Sequence, residues 1–186
     1  TATNAYWQLY SNRKARLKHL NQLGDKMIAM TRFSATDYLT DLTLNTVKTR
    51  ARVYRVQFNN VFIRLDMLLN NEIDVLWLTE PQATKARILD NPMLRDSRDF
   101  RLSLGVLALR HAGVADKRRK MQLNAFVKAY NAACDSINQN GLQHYADLLR
   151  KYCKADDKTI TALPKLRFQH ITAPKPSDIR AAKSFE

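Results

Sequence analysis

Apolar positions follow two rhythms that alternate along the first part of this chain. Tyr6-Trp-Gln-Leu-Tyr10, Lys26-Met-Ile-Ala-Met-Thr31 and Val53-Tyr-Arg-Val-Gln-Phe58 are short runs rich in strand formers, and Ile73, Val75, Leu76, Trp77 and Leu78 form a nearly continuous apolar segment. A segment of that kind predicts a strand covered on both faces in a parallel sheet. Between these runs the spacing turns helical. Leu17, Leu20 and Leu23 give a basic helix one apolar edge ended by Gly24; Tyr38, Leu39 and Leu42 mark a second helix; Val61, Phe62, Leu65, Leu68 and Leu69 mark a third, closed by Asn70-Asn71. A fourth helix leaves Glu80 and runs to Leu89, ahead of Pro92. Strand and helix in strict alternation predict an α/β fold with a parallel sheet and right-handed crossovers.

Further along, Met93 to Ser97 reads as a short extended segment, and Leu102-Ser-Leu-Gly-Val-Leu-Ala-Leu109 as a buried strand with Gly105 inside it. Beyond Arg110 the pattern is helical throughout. Leu123, Phe126, Val127, Tyr130, Ala133, Cys134 and Ile137 form one amphipathic stripe ended by Asn138 to Gly141, and Leu142, Tyr145, Leu148, Leu149 and Tyr152 repeat it. Asp156-Asp157 opens a brief helix through Leu163, and Pro176 a last one carrying Ile179 and Ala182. The expected division is an α/β lobe over 1–112 and a helical segment over 113–186.

The chain has 186 residues, 45% of them hydrophobic, enough to bury the core of one domain, or of one domain with an appended subdomain. No apolar span reaches membrane length, and no charged-then-apolar leader opens the sequence, so a targeting segment is expected to be absent or removed. Net charge is +14, which raises nucleic acid or an anionic surface as partners. Its distribution weakens that reading: Lys and Arg outnumber acids nine to three over 1–52, eight to seven over 53–110 and fourteen to seven over 111–186. The basic residues are not interleaved with aromatics or glycines in a stripe, so solvated helix faces account for them better and nucleic acid is disfavoured.

Candidate chemistry gathers where apolar strands end in polar turns. Thr79, Glu80 and Pro81 follow the 73–78 run, and open α/β sheets place ligand crevices outside the carboxyl ends of their strands. Capping of the next helix explains Thr79 about as well. Thr31, Ser34 and Thr36 surround the second helix start, where Ser34-Ala-Thr-Asp37 has the form of a capping box and the free N–H groups of a helix start could meet an anion. Capping alone suffices for Ser34, and Asp37 already answers the helix dipole. His19, His111, His144 and His170 are scattered without metal or catalytic spacing. No cofactor is expected: no nucleophile elbow or glycine-rich phosphate loop occurs among four glycines. Cys134 and Cys153 fall on apolar helical faces, with a single disulfide left open as the lesser reading.

These residues resemble the carboxyl-terminal part of type II solute-binding proteins of ABC importers, in the nitrate/sulfonate/taurine and thiamine-precursor-binding group. Leu23-Gly-Asp-Lys-Met-Ile-Ala-Met-Thr-Arg-Phe-Ser34 is similar to the segment that opens that family's second lobe. Arg64-Leu-Asp-Met-Leu-Leu-Asn-Asn-Glu-Ile-Asp-Val-Leu-Trp-Leu-Thr-Glu-Pro-Gln-Ala-Thr84 carries the most specific match, and Asp96-Ser97 with Gly105-Val-Leu-Ala108 a third. The resemblance implies a type II periplasmic-binding-protein-like lobe with closing helices, non-catalytic, that holds a small solute and delivers it to a membrane permease. It implies ligand contacts from Thr31, Ser34, Thr36, Thr79, Glu80 and Pro81, with Glu80 accepting from an amine or ring N–H and the Ser34 region donating to a carboxylate or sulfonate. A periplasmic or cell-envelope location follows, with a lipid anchor on the full-length protein. The family's first lobe precedes the matched segment, so the chain is expected to be a fragment or remnant whose closing helices expose apolar stripes and self-associate. Two other classes remain in play: a basic nucleic-acid or anionic-surface binder, and a remnant of a thiamine-pyrimidine-synthase-like enzyme, for which the needed His and Cys cluster is missing.

Overall fold

A computed structural model describes residues 5–110 and 114–184; His111 lies outside the described residues. The chain forms two compact units, one of Tyr6–Arg101 with Leu148–Leu163, the other including Leu102–Asp147 and the chain from Pro164 on.

The first unit is built on a five-stranded sheet: β1 (Gln8–Ser11), β2 (Met27–Met30), β3 (Tyr54–Gln57), β4 (Val75–Leu78) and β5 (Met93–Asp96), in the order β3-β2-β4-β1-β5. α1 (Ala35–Asn45), α2 (Val61–Leu69) and α3 (Gln82–Ile88) connect them. β2 pairs in parallel with β3 and with β4, as expected of an α/β fold. β1 runs antiparallel to both β4 and β5, so the sheet is mixed rather than wholly parallel. Buried Asn12 fixes that end of β1: its N–H donates to Asp74 O at 2.8 Å and its amide to Ile73 O at 2.7 Å, on the lead-in to β4.

Alternation along the strands divides the core. Tyr10, Ala29, Leu76 and Leu78 pack with Leu65 and Leu68 of α2 and Ala83 and Ala86 of α3. Trp77, between Leu76 and Leu78, points to the other face, where its buried Nε1 donates to Thr40 Oγ1 of α1 at 3.1 Å. All four β4 residues are buried, which explains their uninterrupted apolar run.

The basic helix expected after Asn12 is not formed. Two 3₁₀ turns, Arg13–Ala15 and Leu20–Leu23, take its place, and Arg16 between them is left-handed at φ 51°. Leu17 and Leu23 still bury their side chains. Gly24, expected to end that helix, serves close approach instead: a Cβ there would stand 2.9 Å from Ala51 N. α5 (Ala146–Cys153) leads to α6 (Asp157–Thr161), whose N-cap Asp156 accepts from Thr159 N–H at 2.8 Å and pairs with Lys85 of α3. Gln82 Nε2 to Cys153 O at 3.0 Å and Arg87 Nη2 to Ala162 O at 2.8 Å complete the strap of 153–162 along α3.

In the second unit, α4 (Lys117–Asn140) is capped by Asp116 and ends at Gly141, φ 81°. An extended segment is stapled along it: Asn138 exchanges two 2.8 Å bonds with the backbone of Phe168, Asn131 accepts from Ile171 N–H, and Asp135 pairs with His170. α7 (Pro176–Lys183) follows. The strand expected over Leu102 to Leu109 is not present. Only Gly105 makes a bridge, and Val106, Leu107 and Leu109 are exposed. An apolar run becomes a strand only when a neighbouring strand pairs with it, and none does here among the described residues.

Candidate functional site

Parallel pairing aligns the carboxyl ends of neighbouring strands. Ile28 lies opposite Val75 and Ala29 opposite Leu76, so Thr31, following β2, comes level with Leu78, and Thr79 and Glu80 emerge beside it. The two predicted groups of site residues, 48 positions apart in sequence (31 to 79), therefore end at the same edge of the sheet. Because β1 is antiparallel, its amino end meets that edge as well: Gln8 lies opposite Leu78 on one side and Asp96 on the other.

At the β2 end the hydroxyls bind one another. Ser34 Oγ donates to Thr31 O at 2.6 Å, so the 2.9 Å bond between Ser34 Oγ and Thr36 Oγ1 takes its proton from Thr36. Thr36 Oγ1 also accepts from Thr31 N–H, and Thr31 Oγ1 donates to Phe58 O at 3.2 Å. Ser34 is the N-cap of α1, as its sequence position predicts. Asp37 is buried in the first turn, accepting from Phe33 N–H at 3.0 Å and from Arg55 Nη1 at 3.2 Å, while Arg55 also pairs with Asp41.

At the β4 end, Thr79 is partly exposed and its hydroxyl makes no bond among the described residues. Glu80 is also partly exposed. One of its carboxylate oxygens accepts from Thr84 N–H at 3.0 Å, capping α3, and the other faces the Tyr6 hydroxyl at 3.5 Å. Pro81 is buried, joined to Glu80 by a cis peptide bond, and lines a separate cavity of about 190 Å³ with Phe62, Leu65, Leu69, Gln82 and Ala155.

Sequence reasoning missed the group that completes this edge. Arg98 lies 4.1 Å over the Tyr6 ring and grips Asp96 with two bonds, Nε to Oδ1 at 2.9 Å and Nη2 to Oδ2 at 2.6 Å. Gln8 Nε2 adds a 3.0 Å bond to Asp96, and Tyr10 donates to Gln8 at 3.3 Å. Burial alone would raise the Asp96 carboxyl, but the bonds from Arg98 and Gln8 hold it below the ordinary carboxylate range. Burial and then the charge of Glu80 push the hydroxyls of Tyr6 and Tyr10 each up to about 12. Asp96-Ser97 was legible only as a motif; its union with Tyr6 depends on strand register.

No sequence-family model and no curated relative matches the chain. Solved structures do. The periplasmic aliphatic sulphonate binding protein SsuA from Escherichia coli matches with a TM-score of 0.69 at 15% identity, over 100% of this chain and 61% of that one. The alkanesulfonate-binding protein SsuA from Xanthomonas axonopodis pv. citri, bound to MOPS, gives 0.71 at 14% identity over 99% and 63%. The ligand-binding component of an ABC-type import system from Staphylococcus aureus, with zinc bound, gives 0.67 at 15% over 98% and 62%. The chain thus spans about three fifths of the length of each. At such identities the similarity establishes the fold, and the fold of this chain is that of the larger part of a type II periplasmic binding protein.

Proposed function

We propose that the chain is the second lobe, with closing helices, of an ABC-importer solute-binding protein that holds a small solute without catalysis and hands it to a membrane permease at the cell envelope. The observation that carries this reading is the meeting of Thr31, Ser34 and Thr36 with Thr79 and Glu80 at the carboxyl ends of two adjacent parallel strands. That is where an open α/β sheet places a ligand. A further lobe, forming the other wall of the cleft, is supported by the two fifths of each structural neighbour that this chain does not span. Exposed Val106, Leu107 and Leu109 in the second unit are the groups it would cover.

A thermal-shift screen of the chain against small amines, sulfonates, pyrimidines and polyanions, at low and moderate salt, tests the reading. A salt-tolerant rise in melting temperature with one small solute is expected, scaling as RT ln(1 + [L]/Kd). A rise with polyanions alone that vanishes as salt is added refutes it and favours a basic-surface binder.

A further inference from the structure

The strap of 153–162 is bonded to α3 and stands off from α2. Gln82, Lys85 and Arg87 tie it along α3. Toward α2 it sends the Lys154 ammonium, 4.7 Å over the Phe62 ring, from a backbone that is left-handed at φ 51°. Between strap and helices lies the cavity of about 190 Å³. All of its walls belong to the first unit, and Pro81 is the one candidate solute residue among them. It is therefore a place apart from the Thr31 and Glu80 edge.

Its walls define what it can hold. Leu65, Pro81 and Ala155 are buried and Phe62 and Leu69 half-buried, so the lining is mainly apolar. A cavity of about 150 Å³ lined by such side chains takes up benzene, so this one has room for a single ring with a small substituent. One uncharged acceptor is built into the wall. Gln82 is 7% exposed, and the 3.0 Å bond from its Nε2 to Cys153 O fixes the amide, while its Oε1 receives no bond among the described residues. The charges at the rim offset one another. Lys85 is paired with Asp156, and the Lys154 ammonium is balanced by the Asp66 carboxylate, which has no basic partner among the described residues. Neither an anionic nor a cationic head group is favoured at such a rim; a donor for Gln82 Oε1 is.

We infer that this cavity is a second binding site, for a small neutral ring compound carrying one O–H or N–H donor, of the phenol class. The ring lies against Leu65, Leu69, Pro81 and Ala155, and the donor goes to Gln82 Oε1. Such a ligand fills the gap between the strap and α2, so its binding stabilises the strap. The site does not depend on the cleft reading, and its failure would leave that reading untouched.

Cys153, a free and half-buried thiol in the cavity wall, is a built-in reporter. The full chain is treated with iodoacetamide in the presence of phenol, toluene, benzoate or benzylammonium, and the alkylation rate of Cys153 is read by peptide mass spectrometry. Phenol is expected to slow that rate by the factor 1 + [L]/Kd, with a Kd about tenfold below that of toluene, the worth of one hydrogen bond. Ala155→Leu, which fills the cavity, should abolish protection by both. Gln82→Met should bring phenol to the level of toluene while toluene still protects, a change of ratio that a merely structural role for Gln82 would not produce. That ratio decides the matter even if Ala155→Leu fails to fold. Protection by none of the four probes overturns the inference, as does equal protection by phenol and toluene in the unaltered chain. Tighter binding of benzoate or benzylammonium than of phenol overturns it too, and so does protection by phenol that survives Ala155→Leu.

Discussion

Replacing Thr40 with valine tests the packing that places α1, and with it Ser34, over the sheet. The Thr40 hydroxyl accepts from Trp77 Nε1 at 3.1 Å and donates to Thr36 O at 2.7 Å, and Thr40 and Trp77 are 1% and 0% exposed. Valine keeps the shape and removes both bonds, so the indole N–H is left in a dry site without an acceptor. Such an orphaned donor costs about 1–3 kcal/mol. For a chain of this size that corresponds to a fall of about 2–12 °C in melting temperature. Thr40→Ser keeps the hydroxyl and loses one buried methyl, worth about 0.5–1.5 kcal/mol. The ordering is the decisive readout: valine should be worse than serine in thermal and urea melts, and the Trp77 indole proton resonance should move only in the valine variant. A valine variant as stable as the serine one, with that resonance unmoved, refutes the claim that the hydroxyl carries the contact. Trp77→Phe with Thr40→Val should then show a coupling of about 1 kcal/mol in a double-mutant cycle.

Two further outcomes follow from buried polar groups. Arg64 of α2 is 4% exposed, its Nε and Nη1 have no hydrogen-bond partner among the described residues, and burial lowers its pKa, so Arg64→Met should raise stability by about 1–3 kcal/mol in urea melts; a loss would show that the guanidinium is paired in solution. Tyr6 and Tyr10 have folded pKa values raised from 10.0 to about 12, so the stability they contribute is fully present below pH 10 and is lost as pH rises from 10 toward 12. A phenolate absorbance titration should show Tyr6 and Tyr10 ionising late, and Tyr6→Phe with Tyr10→Phe should flatten the alkaline loss of stability; unchanged slopes would contradict it.

What could be read from the chain was what depends on neighbours in sequence. The 75–78 apolar run, the Ser34 cap and the α2 stripe of Leu65 and Leu68 all emerge where their local patterns put them. Strand direction does not, because a period of two looks the same in both directions; β1 is antiparallel through its ladders with β4 and β5, to which Asn12 adds bonds to Ile73 and Asp74. The Leu102 to Leu109 run failed for a related reason, since burial on two faces is supplied by other chain segments and not by the run itself. Tyr6, Asp96 and Arg98 meet across some 90 positions through that same antiparallel register, so no spacing rule could have grouped them.

The reading of Ser34 shows the limit most sharply. Residue types alone name a hydroxyl as a donor, and a Ser-x-Thr at a helix start then suggests an anion site. Whether a donor is available is a property of the network, and here each of the three hydroxyl protons at the β2 end already has an acceptor on the protein. Glu80 inverts the case. It caps the following helix by accepting from Thr84 N–H. Yet a carboxylate has more acceptor capacity than one cap requires, and the other oxygen of Glu80 faces the hydroxyl of Tyr6, whose ring lies under an arginine that is itself held by Asp96. Which polar groups keep spare capacity at this edge is thus a property of the network and not of residue type: among the described residues Thr79 Oγ1 makes no bond, and Glu80 keeps acceptor capacity beyond its two contacts.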